Sequence, residues 1–141
     1  MPPTRFTPNV NRLRAALRGL HDADLLATLR KELELLPAAA LVADNTQRYI
    51  AANVAASQLT GYSQPELERL TVMDLTPLPN TETGRNLWEE FISKGVQRGE
   101  YELVPRRGIA RHVRYWAFAS VAPGLHLSVI VPVNGDGTDA T

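Results

Sequence analysis

Apolar positions recur along the chain with two different periods, and the period changes at Pro37. Before it, Val10, Leu13, Leu17 and Leu20 stand three or four residues apart, as do Leu25, Leu29, Leu33 and Leu36, which lines one face of each of two helices. Asn9 is placed to cap the first helix and Gly19 to end it. Asp22 or Asp24 caps the second, and Pro37 stops it. Beyond Pro37 the segments shorten. Residues 38–43 form an unbroken run of small apolar residues, 44–47 have turn composition, and 48–52 resume as a strand, which makes a hairpin. Residues 53–60 read as a short helix with Val54, Leu59 and the alanines inward, closed by Gly61. Ser63 and Glu66 then have the spacing of a capping box, with Pro65 early enough that its missing N–H costs nothing. Residues 71–75 give one more helical turn before the breaker-rich 76–80. Residues 83–96 are the longest interior helix, with Leu87, Trp88 and Phe91 inward, Glu89, Glu90 and Lys94 outward, and Gly95 or Gly99 at the end. Three strands close the chain at 100–105, 110–121 and 125–133, separated by turns at 106–108 and 123–124.

This order predicts an α+β fold: a five-stranded antiparallel sheet with short helices on one face and the amphipathic N-terminal helices on the other. Three parts follow: an arm with amphipathic helices over 1–36, one domain over 37–133, and a small polar tail over 134–141 expected to fray. The leucine stripe must bury against something. It packs on the domain's own sheet, forms a seam between two subunits, or does both, and Leu25, Leu29, Leu33 and Leu36 are the candidate dimer interface.

Composition narrows the chemistry. The chain has 141 residues, 44% of them apolar, and at about that length a domain buries roughly 68–70% of its unfolded surface, so a core forms without staples. There is no cysteine, which excludes disulfides, thiolate nucleophiles, cysteine-ligated zinc, iron–sulfur clusters and thioether-linked chromophores. Fifteen basic residues balance fifteen acidic ones, unlike the basic excess of most nucleic-acid binders, so no direct nucleic-acid contact is expected. No apolar run reaches the roughly 18 residues that span a bilayer, and Met1-Pro2-Pro3-Thr4-Arg5 lacks the apolar core expected of a signal peptide. The expectation is a cytoplasmic chain without membrane contact.

Several segments, in this order, resemble the PAS sensory domain over about residues 34 to 133. They are Asn53-x-x-Ala56-x-x-Leu59-Thr60-Gly61-Tyr62-Ser63 followed by Glu66-Leu67, the strand Gly99-Glu100-Tyr101-Glu102-Leu103, the Arg106-Arg107-Gly108 turn, and Pro123-Gly124-Leu125-His126-Leu127-Ser128. One departure is plain: Pro132-Val133-Asn134 stands where the family commonly has Asp-Ile-Thr leading to a signalling helix. The resemblance implies a non-enzymatic sensory or regulatory module, including in transcription regulation. Such a module binds a small ligand or cofactor between helices and sheet, or dimerises and docks an effector protein or domain.

The candidate lining residues are Asn53, Trp88, Phe91, Tyr101, Trp116 and Phe118; the alternative is that these rings fill a solid core. The family's cysteinyl-flavin photochemistry has no cysteine to use, while noncovalent flavin stays open. Its haem sensors use a histidine on the long interior helix, which has none; the histidines are His21, His112 and His126, and the cofactor is left unassigned. No serine has a Gly-x-Ser-x-Gly context, and the acidic pairs Glu66/Glu68 and Glu89/Glu90 fall on helix faces expected to be solvated, so no catalytic residue is named. Asn134-Gly135-Asp136-Gly137 echoes a calcium loop, but Pro132 occupies its first ligand position and no metal site is expected. A ligand-free interaction and dimerisation module is the second reading, with Arg106, Arg107, Arg111 and Arg114 as a dock for an acidic partner.

Overall fold

The computed structural model describes residues 9–76 and 82–133; the arm over 1–8, the breakers over 77–80 and the tail over 134–141 lie outside the described residues. In chain order the elements are α1 (Asn11–Leu17), α2 (Asp22–Leu33), β1 (Ala39–Asp44), β2 (Tyr49–Ala52), α3 (Val54–Thr60), α4 (Gln64–Leu67), α5 (Val72–Leu75), α6 (Glu82–Lys94), β3 (Val96–Leu103), β4 (Arg111–Ala122) and β5 (Leu125–Pro132). The strands form one antiparallel sheet in the order β2-β1-β5-β4-β3, so the last strand lies in the middle between β1 and β4. This is the α+β arrangement expected from the pattern.

The caps expected of the first two helices fall elsewhere, since Val10 and His21 take the N-cap positions without a side-chain bond and Asn9 Oδ1 accepts from the Asn11 amide, while the signals that follow Pro37 hold. Ser63 accepts from the Glu66 amide while the Glu66 carboxylate accepts from the Ser63 amide, the reciprocal cap of α4. Gly61 ends α3 at φ +82°, a conformation that a Cβ opposes. Val54 was expected inward but is exposed. It is the first residue of α3, where its N–H meets the Glu34 carboxylate. β3 begins at Val96, four residues earlier than the pattern suggested. Gly95 takes φ +85° and donates its N–H to the Phe91 carbonyl, so α6 stops there and the chain reverses at once.

Each face of the sheet carries its own core. On one, Val10, Leu13, Leu17, Leu29 and Leu33 from α1 and α2 pack on Ala40, Val42, Ala51, Val121, Leu127 and Val129. On the other, Ala56, Leu59, Leu67 and Leu75 from α3, α4 and α5 pack on Ala39, Leu41, Leu103, Val113 and Ile130. In the first core the leucine stripe packs on the chain's own sheet. Leu29 and Leu33 have no exposed surface, because they lie on the chain's own sheet, and each such burial contributes about 1.5–3 kcal/mol. Leu25 and Leu36 are half-buried at the margin of the same cluster. Only exposed Leu35 in this stretch turns fully outward.

Candidate functional site

Beside the second core, a cavity of about 230 Å³ lies among the described residues between α5, α6 and the strands. Its floor is a row of small side chains. Ala117 of β4 faces Ser128 of β5, Ser128 faces Leu41 of β1, and Gln97 of β3 lies across from Ala117. Ala43 adds a second small position. Trp88 and Phe91 of α6 form one wall, edge to face at 5.6 Å, and Tyr101 and Tyr115 form another at 5.4 Å and 69°. Gly99 lets the Tyr115 ring lie close across β3, since a Cβ there would come within 3.3 Å of the ring and push it aside by a few tenths of an ångström. Tyr115 then donates its hydroxyl to Gln97 Oε1 at 2.8 Å. Burial pushes the hydroxyls of Tyr49, Tyr101 and Tyr115 above their ordinary range, and the Tyr101 hydroxyl is hydrogen-bonded to Thr76.

Of the six residues expected to line a pocket, the structure brings Trp88, Phe91 and Tyr101 together at this cavity and places three elsewhere. Asn53 is buried and fully engaged. Its Oδ1 accepts from the amides of Ala56 and Ala40, and its Nδ2 donates to the carbonyls of Leu33 and Ala38. Nothing of its hydrogen-bonding capacity is left for a ligand, and it ties α2, β1 and α3 together instead. Trp116 and Phe118 share strand parity, as read, but theirs is the opposite face: Trp116 pairs with Val129 and Phe118 packs in the α1–α2 core. The cavity face of β4 is Tyr115 and Ala117.

His126 is the lining residue that sequence reasoning left unused. It is 5% exposed, and its ring stands edge to face with Trp88 at 5.6 Å and with Phe91 at 6.0 Å. Nδ1 accepts from the Ser120 amide at 3.0 Å and Nε2 donates to Asn45 Oδ1 at 2.7 Å, which fixes the neutral ring, and burial lowers its pKa below the ordinary value. Ser120 sits in an irregularity of β4 at φ +56°, where the strand leaves its register with β5. The adjoining Ala119 carbonyl accepts from Arg14 of α1 at 3.1 Å, and its amide donates to Gly95. A continuous set of contacts therefore runs from the cavity wall to the helices on the far face.

The cofactors left open can be tested on this geometry. A cavity of about 150 Å³ admits benzene, so 230 Å³ suits one or two fused rings; a porphyrin exceeds it, and a three-ring flavin requires the walls to part. Neither nitrogen of His126 has a lone pair free for iron. His112 lies on the outer face of β4, held between Glu100 at 2.6 Å and Glu102 at 2.7 Å, and hydrogen bonds to those two carboxylates raise its pKa. The residues present do not fit a haem. Of the arginines read as an acidic dock, Arg106 pairs with Glu66 and Arg114 with Glu100 within the chain.

No protein-family model matches the sequence, and no curated protein does. Solved structures do match. The fold resembles a PAS domain from Colwellia psychrerythraea (TM-score 0.63, 18% identity, covering 77% of this chain and 97% of that one). It also resembles a domain of a sensory box sensor histidine kinase/response regulator from Geobacter sulfurreducens (0.63, 19%, 79% and 98%). A third is the LOV protein of Rhodobacter sphaeroides (0.66, 14%, 83% and 71%). The chain thus has the PAS fold, with a chamber between its helical layer and its sheet. Among the described residues no helix is long and apolar enough to cross a membrane.

Proposed function

We propose that this chain is a signal-sensing module that takes up a small ligand in the chamber and passes its occupancy to the α1–α2 layer. The observation that carries the reading is the 230 Å³ cavity floored by Ala43, Ala117 and Ser128 and walled by two aromatic pairs, in a fold shared with sensory domains. A filled core would close that space with larger side chains. The role is binding and relay rather than catalysis.

Transmission is a shift of populations. A ligand touching Trp88 and Phe91 favours one position of the His126 ring. His126 holds the Ser120 amide, and the neighbouring Ala119 carbonyl holds Arg14 of α1. The coupling is no larger than the ligand's differential affinity for the two arrangements. A homodimer, formed through what the leucine stripe leaves outward (Leu35 with the margins of Leu25 and Leu36), or an effector domain receives the change.

The test is a ligand screen read by melting temperature, with native mass spectrometry of freshly purified protein. A ligand at a hundredfold excess over its Kd adds about 2.7 kcal/mol, a rise of several degrees. Ala117→Leu, which fills the floor, is expected to remove the retained molecule and the rise while keeping the circular dichroism spectrum. Retention or a rise unchanged in that variant places the binding outside the chamber and contradicts the reading.

A further inference from the structure

The chamber also has a chemical character. Glu100 is the one described lining residue with a formal charge, and its carboxylate sits on the outer face with His112 and Arg114. His126, the other titratable ring of the wall, is held neutral by using one nitrogen as acceptor and the other as donor. A charged guest therefore meets no counter-charge among the described residues and loses its hydration on entering. The raised pKa values of the three tyrosines have the same origin in desolvation.

Besides Glu100, His126, Gln47, the Tyr49 hydroxyl and the Thr76–Tyr101 pair, the polar side chains on the lining are Gln97 with Tyr115, and Ser128. The Gln97 amide is oriented by Tyr115, whose hydroxyl occupies Oε1; the amide hydrogens on Nε2 are what that pair offers to a guest. Ser128, in the middle of the floor, makes no side-chain hydrogen bond among the described residues, so its hydroxyl is a second donor. The walls are ring edges and faces from Trp88, Phe91, Tyr101 and Tyr115 above a floor that includes the small side chains Ala43, Ala117 and Ser128. The volume admits one or two fused rings.

Resting on the chamber reading above, we propose that the ligand is an uncharged, flat aromatic molecule of one or two rings carrying a hydrogen-bond acceptor, a carbonyl oxygen or ring heteroatom, that receives donors from Gln97 and Ser128. The aromatic walls bind the ring and the two polar side chains set its orientation. An acid or an amine of the same skeleton binds more weakly by the cost of desolvating its charge.

Three probes of matched shape test this on the full chain: 1-indanone with one carbonyl, indane with none, and indane-1-carboxylate with a charge. NMR titration followed at the Trp88 indole N–H reports binding at the wall itself. The expected order is 1-indanone tightest, indane weaker, and the carboxylate weaker than 1-indanone by at least roughly tenfold. Gln97→Leu and Ser128→Ala, each checked for an unchanged melting transition, are expected to bring 1-indanone down to the level of indane while leaving indane within about twofold. Should either variant fail to fold, the ranking in the unmodified chain still decides. A carboxylate that binds as well as 1-indanone, or a ketone no better than the hydrocarbon, overturns the assignment of ligand class and leaves the chamber standing. If none of the three perturbs Trp88, the chamber reading falls and this assignment with it.

Discussion

Asn53 joins three elements with one side chain, and its replacement isolates what that junction contributes. Asn53→Ala removes the α3 cap and strands the Ala40 amide and the Leu33 and Ala38 carbonyls in a buried position, a loss of about 2–4 kcal/mol by urea denaturation. The helix beginning here was legible, but Asn53 counted as its first residue and as a lining candidate rather than as its cap. That the same side chain is saturated was not legible, because three of its four partners belong to other segments. His126 was weighed only as an iron ligand, and its place in the wall was hidden because its partner Asn45 lies 81 positions away in sequence. It also predicts a pH effect of definite sign. Unfolded, the ring gains a proton near its ordinary value of 6.5; folded, burial holds it below that. As pH falls through 6.5 the unfolded chain binds more protons than the native one, so stability is full above 6.5 and drops until the lower folded value is passed. His112 works oppositely, since its raised value stabilises below 6.5 and that contribution is lost as pH rises through the folded value. In a His112→Gln background the urea midpoint is therefore expected to decrease from pH 7.5 to 5.5, and adding His126→Gln is expected to abolish the decrease. A decrease that survives the second change would assign the titration to another group.

At the scale of elements, α1 and α2 form the second layer of the fold. Leu29→Ala empties a fully buried site and is expected to cost about 2–5 kcal/mol, whereas Leu35→Ala, at an outward position, is expected to stay within about 0.5 kcal/mol. Equal small effects would mean the helices are loosely attached. Helix periodicity, caps and hairpin turns were read within a few residues because they are local. Two things were not. Alternation puts Trp116 and Phe118 on one face of β4, but which face meets the α5–α6 layer depends on pairing with β3 and β5, and that face carries Tyr115 and Ala117 instead. The start of β3 was hidden because both Gly95 and Gly99 are plausible helix ends, and only the first is one. Gly99 instead gives the Tyr115 ring its place.

For the whole molecule, the residue order alone was enough to expect a five-stranded antiparallel sheet roofed by short helices, and the sheet is there in that arrangement. The chamber was legible only in part. Sequence shows large aromatic residues readily, and these gave the walls Trp88, Phe91 and Tyr101. Empty space is made by what is small, and the row Ala43, Ala117 and Ser128 carries no signal until strand register aligns it. That alignment is the feature from which binding, relay and ligand class all derive. A crystal of the full chain pressurised with xenon probes it without assuming any ligand, because xenon enters apolar cavities of this scale. The predicted result is one xenon site bounded by Leu41, Trp88, Phe91 and Ala117, lost in Ala117→Leu. Trp88 and Phe91 packed directly onto Ala117, with no xenon between them, would contradict the account.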